Sequence, residues 1–162
     1  MGVLDFIKDA GEALLGKSAQ AAPADAGGGA NADEANRAAA DAIQNYIKSM
    51  NLDATGLTLT FDGATRTVSV FGVAPDQATK EKILLCAGNV KGVEKVDDQM
   101  SVSTASAEAT YHTVVPGDTL SAISKQAYGD ANKYNAIFEA NKPMLASPDK
   151  IYPGQKLRIP PL

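Results

Sequence analysis

The chain has 162 residues and a formal net charge of −4, with 44% hydrophobic and 21% charged residues. These values are typical of a soluble globular protein, and the length allows either one ordinary domain or two small domains with thin cores. The 15 Lys and Arg residues form no basic run interleaved with aromatic residues, so we expect no nucleic-acid partner.

The first segment, residues 1–17, is predicted to form an amphipathic helix that docks on the domain after it. Its apolar stripe consists of Val3, Phe6, Ile7, Ala10 and Leu14. Asp5 and Asp9 lie where a signal peptide would need a basic start and an unbroken apolar run. No apolar run approaches the ~20 residues that cross a bilayer, and the acidic residues suit anionic lipid poorly. We therefore expect a cytoplasmic protein without a membrane partner.

Two segments of small residues divide the chain. Residues 18–32 consist almost entirely of Ala, Gly, Asn, Gln, Asp and Pro, which cannot bury enough apolar surface to become ordered. Residues 103–110 are a shorter tract of small polar residues and Ala. We predict a flexible linker at each place, which leaves a middle domain at 33–102 and a C-terminal domain at 111–162.

The middle domain begins with a predicted helix and a hairpin. The helix follows Asn31 or Asp33 as its N-cap, and its apolar residues at helical spacing are Ala35, Ala39, Ile43, Tyr46 and Ile47. Strict alternation then predicts two strands joined at Asp62-Gly63. The alternating apolar residues are Leu57, Leu59 and Phe61 before the turn, and Val68, Val70 and either Gly72 or Val73 after it.

A second helix and a last strand complete the middle domain. Pro75 suits the first turn of the helix, and Gly88 can supply its C-terminal cap. Cys86 lies in the apolar part of this helix, and we expect a buried, inert thiol. The last strand carries Val96, Met100 and Val102. Asp98 shares their face, and we interpret it as a structural carboxylate satisfied by a nearby backbone amide rather than as a functional group.

The order helix, strand, strand, helix, strand, with Val93-x-x-Val96-Asp97-Asp98-Gln99-Met100-x-Val102 at its end, resembles a BON domain. The resemblance implies a small α/β module that binds or associates and does not catalyse a reaction.

The C-terminal domain reads as strand, helix, helix, strand. Runs at 111–120 and 151–160 each couple a β-rich stretch to a Pro-Gly turn. The first helix is expected to follow Asp118 or Thr119 as N-cap and to end at Gly129. The domain resembles a LysM domain, which implies a βααβ fold and an overall α+β class. It also implies a groove for N-acetylglucosamine polymers such as peptidoglycan, near Gly117, Asp118, Thr119, Leu120, Met144, Ile151 and Tyr152.

A BON domain followed directly by a LysM domain, without a recognisable signal peptide, resembles the Kbp family of bacterial potassium-binding proteins. The resemblance covers nearly the whole chain. Its motifs include Phe6-x-Lys8-Asp9-Ala10-Gly11-Glu12, Gly88-Asn89-x-x-Gly92 and Gly117-Asp118-Thr119-Leu120. It implies a cytosolic protein that binds or senses potassium and becomes compact on binding it. We expect a monomer.

Potassium chemistry is compatible with this chain. The ion suits a ring of neutral carbonyl oxygens, whereas a calcium site would more typically show a loop of spaced carboxylates, which Asp97-Asp98 does not provide. Helix C-termini leave about four carbonyls without intrahelical partners and carry partial negative charge, so two such ends could form a cation cage.

The resemblance implies that the N-terminal segment and the end of the second middle-domain helix face each other. By position, the implied carbonyl donors are Ile7, Ala10, Glu12, Gly88, Val90 and Val93. The expected ion is K⁺, with Rb⁺ or Cs⁺ as larger alternatives.

Catalysis is not expected. His112 is the only histidine and Cys86 the only cysteine, so one chain cannot assemble a Ser-His-Asp triad or a zinc site with several His or Cys ligands. We assign no role to His112. The alternative to potassium binding is a peptidoglycan-binding adaptor that uses the LysM groove.

Overall fold

The computed structural model describes residues 3–6, 29–142 and 144–161. The helices in these ranges are α1 (Gly29–Ser49), α2 (Gln77–Gly88), α3 (Leu120–Tyr128) and α4 (Tyr134–Ala140). The strands are β1 (Val3–Asp5), β2 (Thr55–Asp62), β3 (Thr67–Asp76), β4 (Lys95–Thr104), β5 (Thr110–Thr113) and β6 (Lys156–Ile159). The mixture confirms the α+β class. Among the described helices, none is both long and apolar enough to cross a bilayer.

The first domain is a four-stranded sheet in the order β1-β4-β3-β2, with α1 and α2 packed on it. Strands β3 and β4 are parallel, while β1 and β2 pair antiparallel with β4 and β3. A parallel pair needs a crossover, and α2 provides it. The predicted order of helix, strand, strand, helix and strand is confirmed, and β1 adds an edge strand.

The predicted alternation places one sheet face in the core. Leu57, Leu59 and Phe61 of β2 are buried, as are Val68 and Val70 of β3. The opposite face is largely exposed and polar, because successive strand residues point to opposite sides. The buried face therefore receives α1 and α2.

The second domain pairs β5 with β6 and packs α3 and α4 against them. Thr119 is the N-cap of α3, since its side chain accepts a hydrogen bond from the backbone N–H of Ala122 at 3.1 Å. Gly129 ends the helix with a φ of +76°, which favours glycine. Both features agree with the sequence prediction. The core of this domain consists of Val114, Leu120, Ile123, Ile137, Leu145, Leu157 and Ile159.

Helix α2 is enclosed because the second domain packs on the side that the sheet leaves open. Glu81 of α2, only 2% exposed, accepts a hydrogen bond from the Nε of Arg158 on β6 at 2.6 Å. The other oxygen of Glu81 accepts from the side chain of Gln77 and from the backbone N–H of Ala109, both at 3.0 Å. A buried carboxylate requires such partners, and this network joins the two domains.

Three further residues extend the contact between the domains. The side-chain amide of Asn89, which caps the C-terminus of α2, donates to the carbonyl of Lys156 at 2.8 Å and accepts from its N–H at 2.9 Å. Tyr111 and Met144 of the second domain pack against the core of the first. Burial, with Glu81 nearby, raises the pKa of Tyr111.

The N-terminal half of the chain differs from the prediction in two places. Val3–Asp5 form an edge strand rather than the start of a helix, because their backbone pairs with the free edge of β4. Residues 29–32, predicted to belong to a linker, are in α1, which begins at Gly29. Alanine is a strong helix former, and two of these four residues are alanines, which favours the extension. The remainder of the predicted N-terminal helix and linker, residues 1–2 and 7–28, lies outside the described residues.

The ends of α2 also differ from the prediction. Pro75 lies in β3, and α2 starts two residues later because the Asp76 carboxylate caps it, accepting from the N–H of Thr79 at 2.7 Å. Gly88 is the last helical residue, and Asn89 is the C-cap. The second predicted linker is shorter than 103–110, since β4 continues to Thr104 and β5 starts at Thr110.

The interdomain ion pair leads to a stability prediction. Arg158→Met leaves the Glu81 carboxylate buried without its cation, and we expect it to lower the free energy of unfolding in urea by about 3–5 kcal/mol. The double variant Glu81→Leu/Arg158→Met removes both charges, and its free energy of unfolding should fall clearly less than that of Arg158→Met alone. A loss below about 1 kcal/mol for Arg158→Met would show that this pair does not hold the domains together.

Candidate functional site

The chain makes a tight bend directly after α2, at residues 88–93. The N–H of Asn89 donates to the carbonyl of Leu85 at 2.8 Å, which closes the helix. The N–H of Val93 then donates to the carbonyl of Val90 at 3.0 Å, and Gly92 has a φ of +105° that favours glycine. The bend therefore turns the chain back toward β4 within a few residues of the helix end.

Three of the predicted carbonyl donors lie in this bend and are buried. Gly88 ends α2, and both Val90 and Val93 have 0% exposed surface. The last carbonyls of a helix lack intrahelical partners and carry partial negative charge. The carbonyl oxygen of Val90 already accepts one hydrogen bond, and a carbonyl oxygen has a second lone pair. The bend thus gathers these backbone carbonyls at a buried helix end, which carries partial negative charge.

The N-terminal segment reaches the same bend through Phe6. Its N–H donates to the carbonyl of Glu94 at 2.7 Å, and its ring lies flat against Gly88. A methyl group on Gly88 would overlap Cζ of the ring, so only glycine permits this contact. The predicted donors Ile7, Ala10 and Glu12 come one, four and six residues after Phe6 in the sequence and lie outside the described residues. That they face the bend stays a prediction.

A lysine side chain from the second domain lies beside the Phe6 ring. The Nζ atom of Lys156 lies 5.4 Å from the centre of the Phe6 ring, a cation–π contact. Burial lowers the pKa of Lys156, and the charge of Asp5 opposes that effect. Within residues 3–6, 29–142 and 144–161, no three His, Cys, Asp or Glu side chains cluster as they would around a metal ion.

Two other residues singled out in the sequence have structural surroundings. The Asp98 carboxylate accepts from the N–H of Met100 at 2.9 Å and pairs with Nζ of Lys80 at 3.0 Å, which confirms its structural interpretation. Cys86 is 1% exposed, and burial raises the pKa of its thiol to about 12. A thiol with so high a pKa is a poor nucleophile at neutral pH.

The second domain contains an open groove of about 520 Å³. It is lined by Asp118, Thr119, Leu120, Ser121, Tyr134, Pro148, Asp149 and Ile151. Four of the seven residues predicted for the glycan groove are among them. Of the other three, Met144 instead packs against the core of the first domain, Gly117 forms the exposed turn before α3, and Tyr152 lies beside the groove residue Ile151.

His112 and Asp118 form a pair beside this groove. Nε2 of His112 lies 2.8 Å from the Asp118 carboxylate, which also accepts from the N–H of Val115 at 3.0 Å. These two hydrogen bonds, that of His112 first, lower the pKa of Asp118. Asp118 therefore holds the turn between β5 and α3, a structural task for the histidine that the sequence left without a role.

Sequence reasoning missed several residues of these sites. Phe6, Asn89 and Lys156 make contacts around the bend, and Tyr134 lines the groove while also packing against the core of the second domain. Asn89 had one local signal, its place directly after Gly88 at a predicted helix end. Its partner Lys156 is 67 residues away in the sequence, so no local pattern could identify the pair.

Comparison with known proteins identifies both domains. Residues 35–104 match the BON domain family, and residues 112–160 match the LysM domain family. The chain is 45% identical over 161 residues to the potassium binding protein Kbp of Escherichia coli O6:H1, with 99% of each chain covered. It is 51% identical over 51 residues to an uncharacterised protein of Deinococcus radiodurans, covering 32% of this chain and 19% of that protein. It is also 41% identical over 64 residues to the uncharacterised protein YqbP of Bacillus subtilis, covering 34% of this chain and 29% of that protein.

The contact between Phe6 and Gly88 can be tested by a double-mutant cycle. Gly88→Ala forces the Phe6 ring away, and overpacking of this kind costs about 1–3 kcal/mol, whereas alanine gains at most about 1 kcal/mol over glycine in a helix. We expect a lower urea midpoint in the wild-type background and no loss in a Phe6→Ala background. An equal loss in both backgrounds would show that Phe6 does not constrain this glycine.

Proposed function

The chain belongs to the Kbp family, and we propose that it binds a potassium ion through backbone carbonyl oxygens at the end of α2 and becomes more compact when the ion binds. The relative that supports this proposal is named for potassium binding and matches the chain over 99% of its length. The proposed function is binding and not catalysis.

The observation that carries the proposal is the meeting of Phe6 with the bend at 88–93. Phe6 brings the described end of the N-terminal segment against Gly88 and beside Glu94. The proposed ligands are the carbonyl oxygens of Ile7, Ala10 and Glu12 from this segment and of Gly88, Val90 and Val93 from the bend. Backbone ligands do not depend on side-chain chemistry, which explains how apolar residues can provide them.

The proposed ligand set favours a large monovalent cation. Neutral carbonyls can replace the weakly held water of K⁺, whereas Mg²⁺ keeps much of its hydration shell and requires short octahedral contacts. Rb⁺ and Cs⁺ carry the same charge on a larger ion, and we propose them as alternative ligands. The location that fits this role is the cytoplasm, where potassium is the abundant cation.

Compaction follows from a shared ion. An ion held by two segments stabilises every contact between them, and the stability of the arrangement then rises with ion concentration by mass action. Because α2 also carries the contacts to the second domain, the tightening extends to the LysM domain. The protein would then report the potassium concentration as a change of shape.

Potassium is expected to raise the melting temperature and to reduce the radius of gyration in small-angle scattering. Sodium and magnesium at equal ionic strength should do neither, because neither ion matches a carbonyl cage of this kind. The same titration with RbCl and CsCl shows how strongly the protein binds these larger ions relative to K⁺. Identical melting curves and scattering profiles in all of these salts would contradict the proposal.

A second candidate function is glycan binding in the LysM groove. The open groove of about 520 Å³ combines the hydroxyl groups of Thr119, Ser121 and Tyr134 with the apolar side chain of Ile151. Neutral sugars are held by such hydrogen-bonding groups and apolar faces. This function would make the protein a peptidoglycan-binding adaptor, with a peptidoglycan fragment as its ligand.

Glycan binding can be measured by co-sedimentation with purified peptidoglycan. If the groove is the site, Tyr134→Ala should reduce the bound fraction severalfold, whereas Val115→Ala, at an exposed apolar position not among the groove-lining residues, should not. Equal sedimentation of all three proteins, or of none, would exclude the groove as the glycan site.

A further inference from the structure

We infer that Asn89 is a positioning residue that couples the cation site to the LysM domain. This inference rests on the proposed function, since it explains how that site responds to domain docking. Residue 89 lies between two of the proposed ligands, because the carbonyls of Gly88 and Val90 belong to its neighbours on either side.

The side chain of Asn89 is held by the second domain. Its amide nitrogen donates to the carbonyl of Lys156 at 2.8 Å, and its amide oxygen accepts from the N–H of Lys156 at 2.9 Å. This paired contact imitates one step of a β-ladder and fixes the plane of the amide. Both hydrogen bonds go to main-chain atoms of residue 156. They therefore depend on the position of β6 and not on the lysine side chain.

The main chain of Asn89 is held by the first domain. Its N–H closes α2 by donating to the carbonyl of Leu85 at 2.8 Å. The peptide unit that supplies this N–H also contains the carbonyl of Gly88, because both belong to the same planar group. When β6 holds the Asn89 side chain, it therefore also limits the rotation of a peptide plane that carries a proposed ligand.

A second contact between the domains lies farther along the same helix. Glu81 and Arg158 hold α2 against β6 about two turns before Asn89. The helix is thus fixed against β6 at two points, of which only Asn89 adjoins the bend. Docking of the LysM domain orders the carbonyl cage, and by linkage an ion in the cage strengthens docking by the same factor.

Asn89→Ala removes both hydrogen bonds and should weaken potassium binding about tenfold, the change in an equilibrium constant that two ordinary hydrogen bonds provide. Affinity is measured by calorimetric titration with KCl against a sodium background of constant ionic strength. A residue that only supports the fold would lower the melting temperature equally in both salts. Substitution of a coupling residue would also reduce the rise in melting temperature that potassium produces.

Two control variants separate the possible causes. Lys156→Met keeps the main-chain partners of Asn89 and removes a nearby positive charge, so its potassium affinity should be no weaker than that of the wild type. Gln99→Ala changes an exposed amide on β4 of the same domain and should leave affinity unchanged.

Arg158→Met loosens docking without altering the bend, and it should weaken potassium binding in the same direction as Asn89→Ala. Wild-type affinity in both Asn89→Ala and Arg158→Met would overturn the inference while leaving the proposed function intact. A wild-type protein without a preference for potassium over sodium would instead remove the proposed function itself.

Discussion

Helix α2 is packed between the BON sheet and the LysM domain, and most of the other features depend on this double burial. A helix with one buried face can present charged residues on the other, but α2 has no such free face along most of its length. Its polar residues must therefore find partners within the protein. Glu81 and Asn89 find them on β6, and these partners determine how the two domains sit together.

The same helix also fixes the candidate cation site. Its C-terminus ends in a buried bend, where Phe6 of the N-terminal segment packs against Gly88. A helix end of this kind provides carbonyl oxygens and partial negative charge without any carboxylate. One element thus connects three parts of the chain, namely the N-terminal segment, the BON sheet and the LysM domain. Binding an ion at its end can therefore affect all three.

Much of the fold could be predicted because its signals are local. Alternation at Leu57, Leu59 and Phe61 identified a strand, and the spacing from Thr119 to Gly129 identified a capped helix. Strand β1 could not be predicted, since its three residues form a strand only because the edge of β4 is available. Gly88 was expected as a helix cap, but the structure requires glycine there because the ring of Phe6, far away in the sequence, occupies the space of a side chain.

The candidate site was predictable only in part, for a related reason. Family resemblance indicated which carbonyls to consider, and Gly88, Val90 and Val93 do lie in one buried bend. The contacts of Asn89 with Lys156 and of Glu81 with Arg158 join residues 67 and 77 positions apart in the sequence, so they depend on domain packing.

The most direct test of the proposed cation site is to measure the backbone carbonyl ¹³C chemical shifts of the protein during a potassium titration at constant ionic strength. The account predicts saturable shifts at the carbonyls of residues 7, 10, 12, 88, 90 and 93 with KCl and not with NaCl. Shifts confined to other residues, or equal in the two salts, would contradict it.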